Sequence, residues 1–460
     1  MNYIKKTTNN QDVNEKKSNY LKIPAYSLGN FTNTDTTIEK NSSDNDVFCF
    51  NGYIELTEED LICDKCGKRM HINNTCKTKL KHLPFGSTYT CICVEKKQLK
   101  CTECGSTKMQ KIPFQAEKHF ITNDLKNYVE KMLSTNNYTN KEVAYITGLN
   151  RNIVKEIDKE RLIQKYTING EGEKLIKPEK QAKYLGIDEF KLHNGYKYAT
   201  HIIDLESGNI LWIAEGKKKQ VVYDFINHVG KEWMGKVVAV ACDMNSDFEE
   251  AFKAKCPHIQ IVYDYFHIIK NFNEKVVGNI RKDEQNRLIE AGDTEGAKKL
   301  KKTKYILTSS EDTLKKKDKE ANEGKILHKS SKLFKKSEIK RKGGNQEKYY
   351  ELINQNELFL IIELIKELLQ EAFRTENEEE MIKLLFDIMQ LCEENGNKHL
   401  IWFENLIYNH FDGIITHATH KISSGKIEGI NNKIKTLRRQ AYGYPDDEYF
   451  FLKLFDMSRN

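Results

Sequence analysis

No stretch of the 460 residues approaches the roughly 18 uninterrupted apolar residues that a membrane-spanning helix needs. Residues 1–10 carry no apolar core of the kind a secretory signal has. Neither charge sign dominates: the formal net charge is only +7, so a polyanionic partner is not announced by bulk charge, and the placement of the bases matters more. The 11 cysteines are an odd number in a chain without an export signal, which argues against a disulfide framework. No internal repeat stands out. A soluble, cytoplasmic protein with no membrane partner is expected. With 38% hydrophobic and 31% charged residues, most of the chain should fold, into two to four domains.

Residues 1 to about 45 are rich in Asn, Thr, Ser, Lys and Asp, and this composition predicts a mostly disordered tail (1–48). Seven of the 11 cysteines then fall between Cys63 and Cys104, a metal-binding distribution. Cys63/Cys66 and Cys101/Cys104 are two C-x₂-C pairs, each followed by Gly, which suits a tight turn presenting two thiolates. Together they predict a zinc-ribbon module (49–112) holding one structural Zn. Cys91 and Cys93 read as small apolar residues of the ribbon strands. A second site drawn from His71, Cys76, His82, Cys91 and Cys93 fits no standard spacing. Cys49, Cys242, Cys256 and Cys392 read as scattered, buried thiols.

Thr139 followed three residues later by Glu142 is a capping box opening a helix to Thr147, Gly148 makes a turn, and Asn150 starts a second helix to about Glu160. This predicts a helix-turn-helix domain (113–165), with Arg151, Asn152 and Lys155 facing a DNA groove. A generic helical hairpin is the alternative. A polar linker (166–181) follows.

From Ala182 the pattern becomes strands. Tyr184–Leu192, Tyr196–Leu205 and Ile210–Ala214 form an antiparallel meander, the first turn marked by Asn194-Gly195. Gln220–Val229 has helical spacing. Val237–Cys242 is a continuous apolar run, expected as a strand buried on both faces. A short helix (Asp247–Cys256) and a fifth strand (Ile259–Tyr263) complete the order of an RNase H-like mixed α/β core. That core (182–280) is expected to be interrupted by an all-helical insertion (281–411) and closed by 412–460. Lys298–Lys342 is lysine-dense and reads as solvated surface.

Three carboxylates stand out. Asp188 lies on the first strand, Asp243 ends the buried run, and Glu428 lies on a basic helix near the C-terminus. A carboxylate ending a buried strand is costly unless paired or bound to metal, and three acids are a suitable supply for divalent cations. Read alone, Asp188 and Asp243 are equally strand-end turn residues and Glu428 a solvated helix residue. On the last helix, Ile427, Ile430, Ile434 and Leu437 share a core face, and Glu428, Asn432, Lys435 and Arg439 another. Lys426, Lys433, Lys435, Arg438 and Arg439 surround the acid, a charge pattern suited to phosphates. Glu189 points to the other face of its strand and is left out of the site.

The segments LGIDEF (185–190), Asp243-Met244, DYFH (264–267) and IEGINNKIK (427–435), the last continuing to RRQAYG (438–443), resemble the DDE-type insertion-sequence transposases of the ISL-three group. The resemblance runs from about Cys63 to Leu454. It implies a transposase that binds insertion-sequence ends and catalyses Mg-dependent DNA cleavage and strand transfer. It places the acidic triad on Asp188, Asp243 and Glu428 as ligands of two Mg (or Mn) ions, with Asp264 and His267 as supporting positions. Tyr265 stands where such proteins often carry Arg. His267 is otherwise a core histidine at a helix start. DNA-binding residues are expected at Arg151, Asn152, Lys155, Asn432, Lys435, Arg438 and Arg439. The partners are double-stranded DNA (element ends and target) and further copies of the chain in the DNA complex, with a nucleoid-associated location. The alternatives are a catalytically silent DNA-binding regulator and a structure-specific nuclease on the same core.

Overall fold

The computed structural model describes residues 28–459 except 194, 196, 245, 330–337, 423, 424 and 442. The expected tail up to residue 27, Asn194 of the first hairpin turn, Tyr196, Ser424 and Tyr442 therefore lie outside the described residues. The chain forms two compact units, residues 1–176 with 434–460, and residues 177–433.

The first unit opens on a five-stranded sheet of order β1-β2-β4-β3, with β5 against β4. Its strands are β1 Phe31–Lys40, β2 Asp46–Ile54, β3 Met70–Phe85, β4 Thr88–Cys101 and β5 Thr107–Met109. The tail expected to be disordered to residue 48 is thus corrected: from Phe31 it is an edge strand and its neighbour. The composition misleads because β1 buries only Phe31; the ladder to β2 holds it rather than a core. Leu80, Ile92, Val94, Phe31 and Phe50 form the core on one sheet face.

Three helices follow: α1 Asn123–Ser134, α2 Asn140–Thr147 and α3 Arg151–Tyr166. Thr139 and Glu142 close the capping box in both directions, and Gly148 ends α2 at φ 68°, where a Cβ would be strained. Leu125, Val129, Val143, Leu149, Val154 and Ile157 form their shared core.

The helix Asp447–Ser458 packs on α3, so 412–460 does not close the second unit as a whole; its last part belongs with the first. Charge explains this placement. Asp158 of α3 and Asp456 of the last helix are both fully buried. Arg161 reaches Asp158 at 2.7 Å and Asp456 at 3.0 Å. Lys165 and the Tyr166 hydroxyl donate to Asp456 at 2.8 and 2.7 Å. Lys453 and the Tyr449 hydroxyl meet the other oxygen of Asp158 at 3.1 and 2.7 Å.

The second unit carries a sheet of order β10-β9-β6-β7-β8. β6 Tyr184–Lys191, β7 Tyr198–Asp204 and β8 Ile210–Glu215 pair antiparallel, while β9 Ala239–Cys242 and β10 Gln260–Tyr263 add in parallel on the β6 side. The helices α4 Lys219–Val229 and α5 Ser246–Lys255 supply Val222, Phe225, Phe248 and Phe252 to the core under β6 and β9. The same core continues through Phe272, Ile362, Leu385 and Phe403 of the later helices, so the helical region and the sheet share one interior. Among its described residues, the lysine-dense stretch is less solvated than its composition predicts. Leu300, Ile306, Leu307 and Leu314 are buried within it, and a short hairpin (Ile326–Lys329 with Glu338–Lys340) follows.

The buried carboxyl of Asp456 makes the first unit sensitive to acid. Burial pushes Asp456 up, but Lys165, Arg161 and Tyr166 outweigh it and hold the carboxyl at about 2, below an unfolded value near ~3.9. Its contribution is present above the unfolded pKa and is lost as pH falls from about 4 through about 2. Asp456→Ala should cost about 1–3 kcal/mol, because the buried Tyr166 hydroxyl loses its acceptor and Arg161 loses one of its two carboxylates, while Arg161 keeps Asp158 and Lys165 is half exposed. Hydrogen exchange across 151–166 and 447–458 measures this. Unchanged protection in the variant would show that the network does not hold the helix.

Candidate active site

β6 and β9 run parallel, so Asp188, on β6, and Asp243, just past Cys242 at the end of β9, emerge at the same end of the sheet. Both line a narrow cleft with Ile187, Ala241, Cys242, Asp264, His267 and Ile427. Its interior volume of about 10 Å³ has room for about one water or ion. Beside it opens a larger cleft of about 440 Å³, lined by Asp264, Tyr265, Phe373, Arg374, His417 and Lys421 among others. Tyr265 stacks near Phe373 (4.9 Å between ring centres). Arg374, from a distant helix, lines the same cleft as Tyr265.

The helix Gly425–Gln440 lies along β6, and the contact fixes the geometry of Asp188. Gly186 and Asp188 alternate onto one strand face, and Ile427 and Asn431 lie one turn apart on the helix. Ile427 packs against Gly186 so closely that a Cβ there would come within 2.7 Å of it. One turn on, Asn431 Nδ2 donates to Asp188 Oδ2 at 2.6 Å. The other Asp188 oxygen accepts from the Glu189 backbone N–H at 2.7 Å. Burial, reinforced by the neighbouring Asp243 charge, raises the Asp188 pKa despite these donors and His267.

Asp243 stands differently. Burial pushes it up, but the His267 ring and the Met244 N–H, at 3.2 and 2.7 Å, prevail and hold it below the ordinary carboxylate range. The same bond raises the His267 pKa above its ordinary value. His267 is thus an Asp243 partner, not an unattached core histidine. Asp264 caps the helix Tyr265–Asn271, its side chain accepting from the Phe266 N–H at 3.0 Å.

Glu428 is exposed in the first turn of its helix, next in sequence to Ile427, and does not line the cleft with Asp188 and Asp243. Ile427, Ile430 and Ile434 are buried as their spacing predicts, and Asn432, Lys435 and Arg439 are exposed. Arg438 lies over the Phe450 ring, 5.9 Å from its centre. In α3, Arg151 and Asn152 are exposed, but Lys155 is engaged with Asp446 at 2.8 Å rather than presented to a groove.

Asn431 and His201 escaped the sequence reading. Asn431 Oδ1 is buried without a hydrogen-bond partner. His201 sits opposite Asp188 across the β6/β7 ladder, fully buried, with neither ring nitrogen bonded. Burial pushes its pKa down to about 4, so it is a neutral neighbour of the acid at pH 7. No spacing along the helix singles out Asn431, and only the strand pairing reveals His201.

In the first unit, Cys63, Cys66, Cys101 and Cys104 converge. Their sulfurs are 3.5 Å apart for Cys63–Cys104 and Cys66–Cys101, and 3.6 Å for Cys66–Cys104. Gly67 and Gly105 take φ near 68° and 69°, and each donates its N–H to the carbonyl of the first Cys of its pair, folding both knuckles. With Zn–S bonds of about 2.3 Å, tetrahedral zinc needs sulfurs about 3.8 Å apart, so the cluster can hold that ion.

The uneven charge of the two aspartates has a measurable consequence. With its pKa raised above the unfolded value, Asp188 favours the fold while protonated, and that advantage is lost as pH rises through its folded pKa. Asp188→Asn should therefore raise the melting point of the second unit by roughly 1–3 °C at pH 7 in chelator. Tryptophan fluorescence reads it, since Trp212, Trp233 and Trp402 all lie in that unit. A lowered midpoint would mean the charge is fully compensated.

A family model described as a transposase, of the ISL-three DDE type, matches residues 185–454. The chain is 25% identical over 404 residues to the transposase for insertion sequence element IS1001 of Bordetella parapertussis, covering 87% of this chain and 90% of that relative. It is 27% identical over 85 residues to the transposase for insertion sequence element IS1557 of Mycobacterium tuberculosis, from two strains, covering 18% of this chain and 19% of the relative. No helix among the described residues is long and apolar enough to cross a membrane. The family match spans more than half the chain and takes in Asp188, Asp243, Asn431 and Glu428 together; the chain belongs to the DDE-type insertion-sequence transposases of the ISL-three group.

Proposed function

We propose that this transposase binds the ends of its insertion sequence, cleaves the phosphodiester there, and joins the freed 3′-OH to target DNA at an acid site formed by Asp188, Asp243 and Glu428. The observation that carries this reading is the convergence of Asp188 and Asp243 on an ion-sized cleft with a buried, unpartnered Asn431 Oδ1 beside them. These are hard oxygen donors, the set that Mg or Mn prefers. Two such ions supply charge stabilisation at the attacking and leaving oxygens.

The chain's own residues do the rest. Asn431 and the Glu189 N–H orient Asp188. His267 keeps Asp243 ionised and fixes its rotamer. Glu428 directly follows Ile427, whose side chain lines the cleft, and lies about 100° around the helix from it; its carboxylate is assigned to the site from that neighbouring position. In cleavage, the oxygen of a water forms a bond to phosphorus while the bond to the 3′ oxygen breaks and that oxygen takes a proton. In joining, the 3′-OH attacks a target phosphodiester in the same way. No covalent protein–DNA bond is required.

The five strands around β6 are read as an RNase H-like core, which has this order of three antiparallel and two parallel strands. Helices α2 and α3 are read as a helix-turn-helix over 113–165, with Arg151 and Asn152 toward the bases. The Cys₄ module of 49–112, extended back to Phe31, is read as a zinc ribbon with one structural zinc. Asn432, Lys435, Arg438 and Arg439 are assigned to the DNA backbone. Lys155 remains in the DNA assignment only if Asp446 yields it to a phosphate. Two ends must be brought together, so a homo-oligomer in the DNA complex follows.

Asp188→Ala, Asp243→Ala and Glu428→Ala should each lower end cleavage and strand transfer by at least about a hundredfold, with end binding in chelator unchanged. Gel assays on the inverted repeats flanking the gene read both. Near-normal activity in any variant removes that residue from the site, and products cut but never joined indicate a nuclease.

Lys435→Ala and Arg439→Ala should weaken binding on all sequences alike and each reduce the log–log salt slope by about 1. Arg151→Ala should instead relax sequence preference, at about 1–3 kcal/mol. Fluorescence anisotropy across a salt series separates the two. An unchanged slope in the helix variants would take that face off the DNA.

A further inference from the structure

A second group of cysteines lies in the first unit, apart from the Cys₄ knuckles. Cys49 of β2 and Cys91 of β4 are direct partners across the parallel ladder, and Cys93 is two residues on, facing the same way. The Cys49 and Cys91 sulfurs are 2.8 Å apart, Cys91 and Cys93 4.0 Å, and all three lie within 4.8 Å of one another. His71, Cys76 and His82 do not join them, so a second site built on those residues is corrected to one that includes Cys49.

These are not core thiols. The apolar core of the sheet is made by the alternate residues, Phe50, Ile92, Val94 and Leu80, which face the other way. Cys49 and Cys91 are nevertheless 0% and 1% exposed. Lys79 on β3 and Glu39 on β1 close over them. In the order β1-β2-β4-β3, the 2.6 Å ion pair between these side chains has to cross both cysteine-bearing strands. Lys79 is the ladder partner of Cys93 on β3, and Glu39 lies two residues beyond Thr37, the ladder partner of Cys49 on β1, so both face the cysteine side of the sheet.

We propose that Cys49, Cys91 and Cys93 form a second zinc site, with the Glu39 carboxylate as the fourth ligand and Lys79 as its charge partner. Three thiolates are a soft donor set suited to zinc. Zinc favours four ligands; the Glu39 carboxylate, which lies outside the cluster of three sulfurs and is paired with Lys79 on the same face, swings in as the fourth. Zn–S bonds of about 2.3 Å require sulfurs about 3.8–4.0 Å apart, the existing Cys91–Cys93 spacing; Cys49 draws back about 1 Å. Binding releases three thiol protons and leaves three thiolates, one carboxylate and Zn²⁺ at −2, which the Lys79 ammonium halves. A monovalent soft ion would leave −3 at the same place, so the charge favours the divalent ion. The site staples β2 to β4 in a sheet whose own core is small.

Zinc per chain, measured by elemental analysis of the full protein purified in reducing buffer, tests this. Two equivalents are expected in the wild type and one in Cys93→Ser. Cys76→Ser, an exposed cysteine outside both clusters, should keep two. Cys66→Ser should lose the zinc of the knuckles and keep the other, which separates this proposal from the zinc-ribbon reading. If Cys93→Ser collapses the sheet and loses both ions, Cys93→His should restore two. One equivalent in the wild type overturns the proposal. So does a denatured, unreduced thiol count two short with Cys49 and Cys91 linked, which would mark the pair as a disulfide.

Discussion

The acid site depends on one close approach. The helix Gly425–Gln440 can lie on β6 only because residue 186 has no side chain, and the contact of Ile427 with Gly186 sets the register in which Asn431 meets Asp188. Roughly 240 residues separate the two in the chain, so the carboxylate acquires its orientation only when the helical region has folded back. The energetics are deliberately incomplete. Two donors reach Asp188, yet its charge remains unfavourable beside Asp243. Asp188 is thus left short of positive charge, whereas Asp243, paired with His267, is held ionised.

The two units handle buried charge in opposite ways. In the first, Asp158 and Asp456 are surrounded by Arg161, Lys165 and Lys453, and the anions are fully matched. Such a network contributes specificity of docking as much as stability, since a misplaced last helix would strand at least two charges. In the second, Asp243 is matched by His267, while Asn431 beside Asp188 keeps a buried oxygen without a hydrogen-bond partner. Structural charges are closed off by their neighbours, while the acids of the cleft stay available.

Much of this architecture was legible in the sequence where the signal is local. The apolar run to Cys242, the meander around Ser207-Gly208-Asn209, the capping box at Thr139 and the Gly-capped cysteine pairs each fix a backbone conformation within a few residues. The buried face of the basic helix followed from its period. What stayed hidden is set by partners far away in the chain. Asn431 faces Asp188 because of how a helix lies on a strand, and no periodicity distinguishes it from Asn432. Cys49 looked incidental because its neighbours Cys91 and Cys93 arrive only through strand pairing. β1 was read as tail because an edge strand with one buried residue has the composition of a linker. The last helix was assigned to the wrong unit because its anchors are polar, and burial of polar residues is not visible in hydropathy.

The docking of Asp447–Ser458 on α3 also imposes an order on synthesis. The unit that begins with β1 lacks Asp456, Lys453 and Tyr449 until synthesis has passed residue 456. By then every residue of the acid-bearing unit already exists. A chain interrupted anywhere before residue 447 carries α3 with Asp158 and Arg161 short of their partners. β1 and the strands paired with it therefore belong to a unit that is completed only after the acid-bearing one.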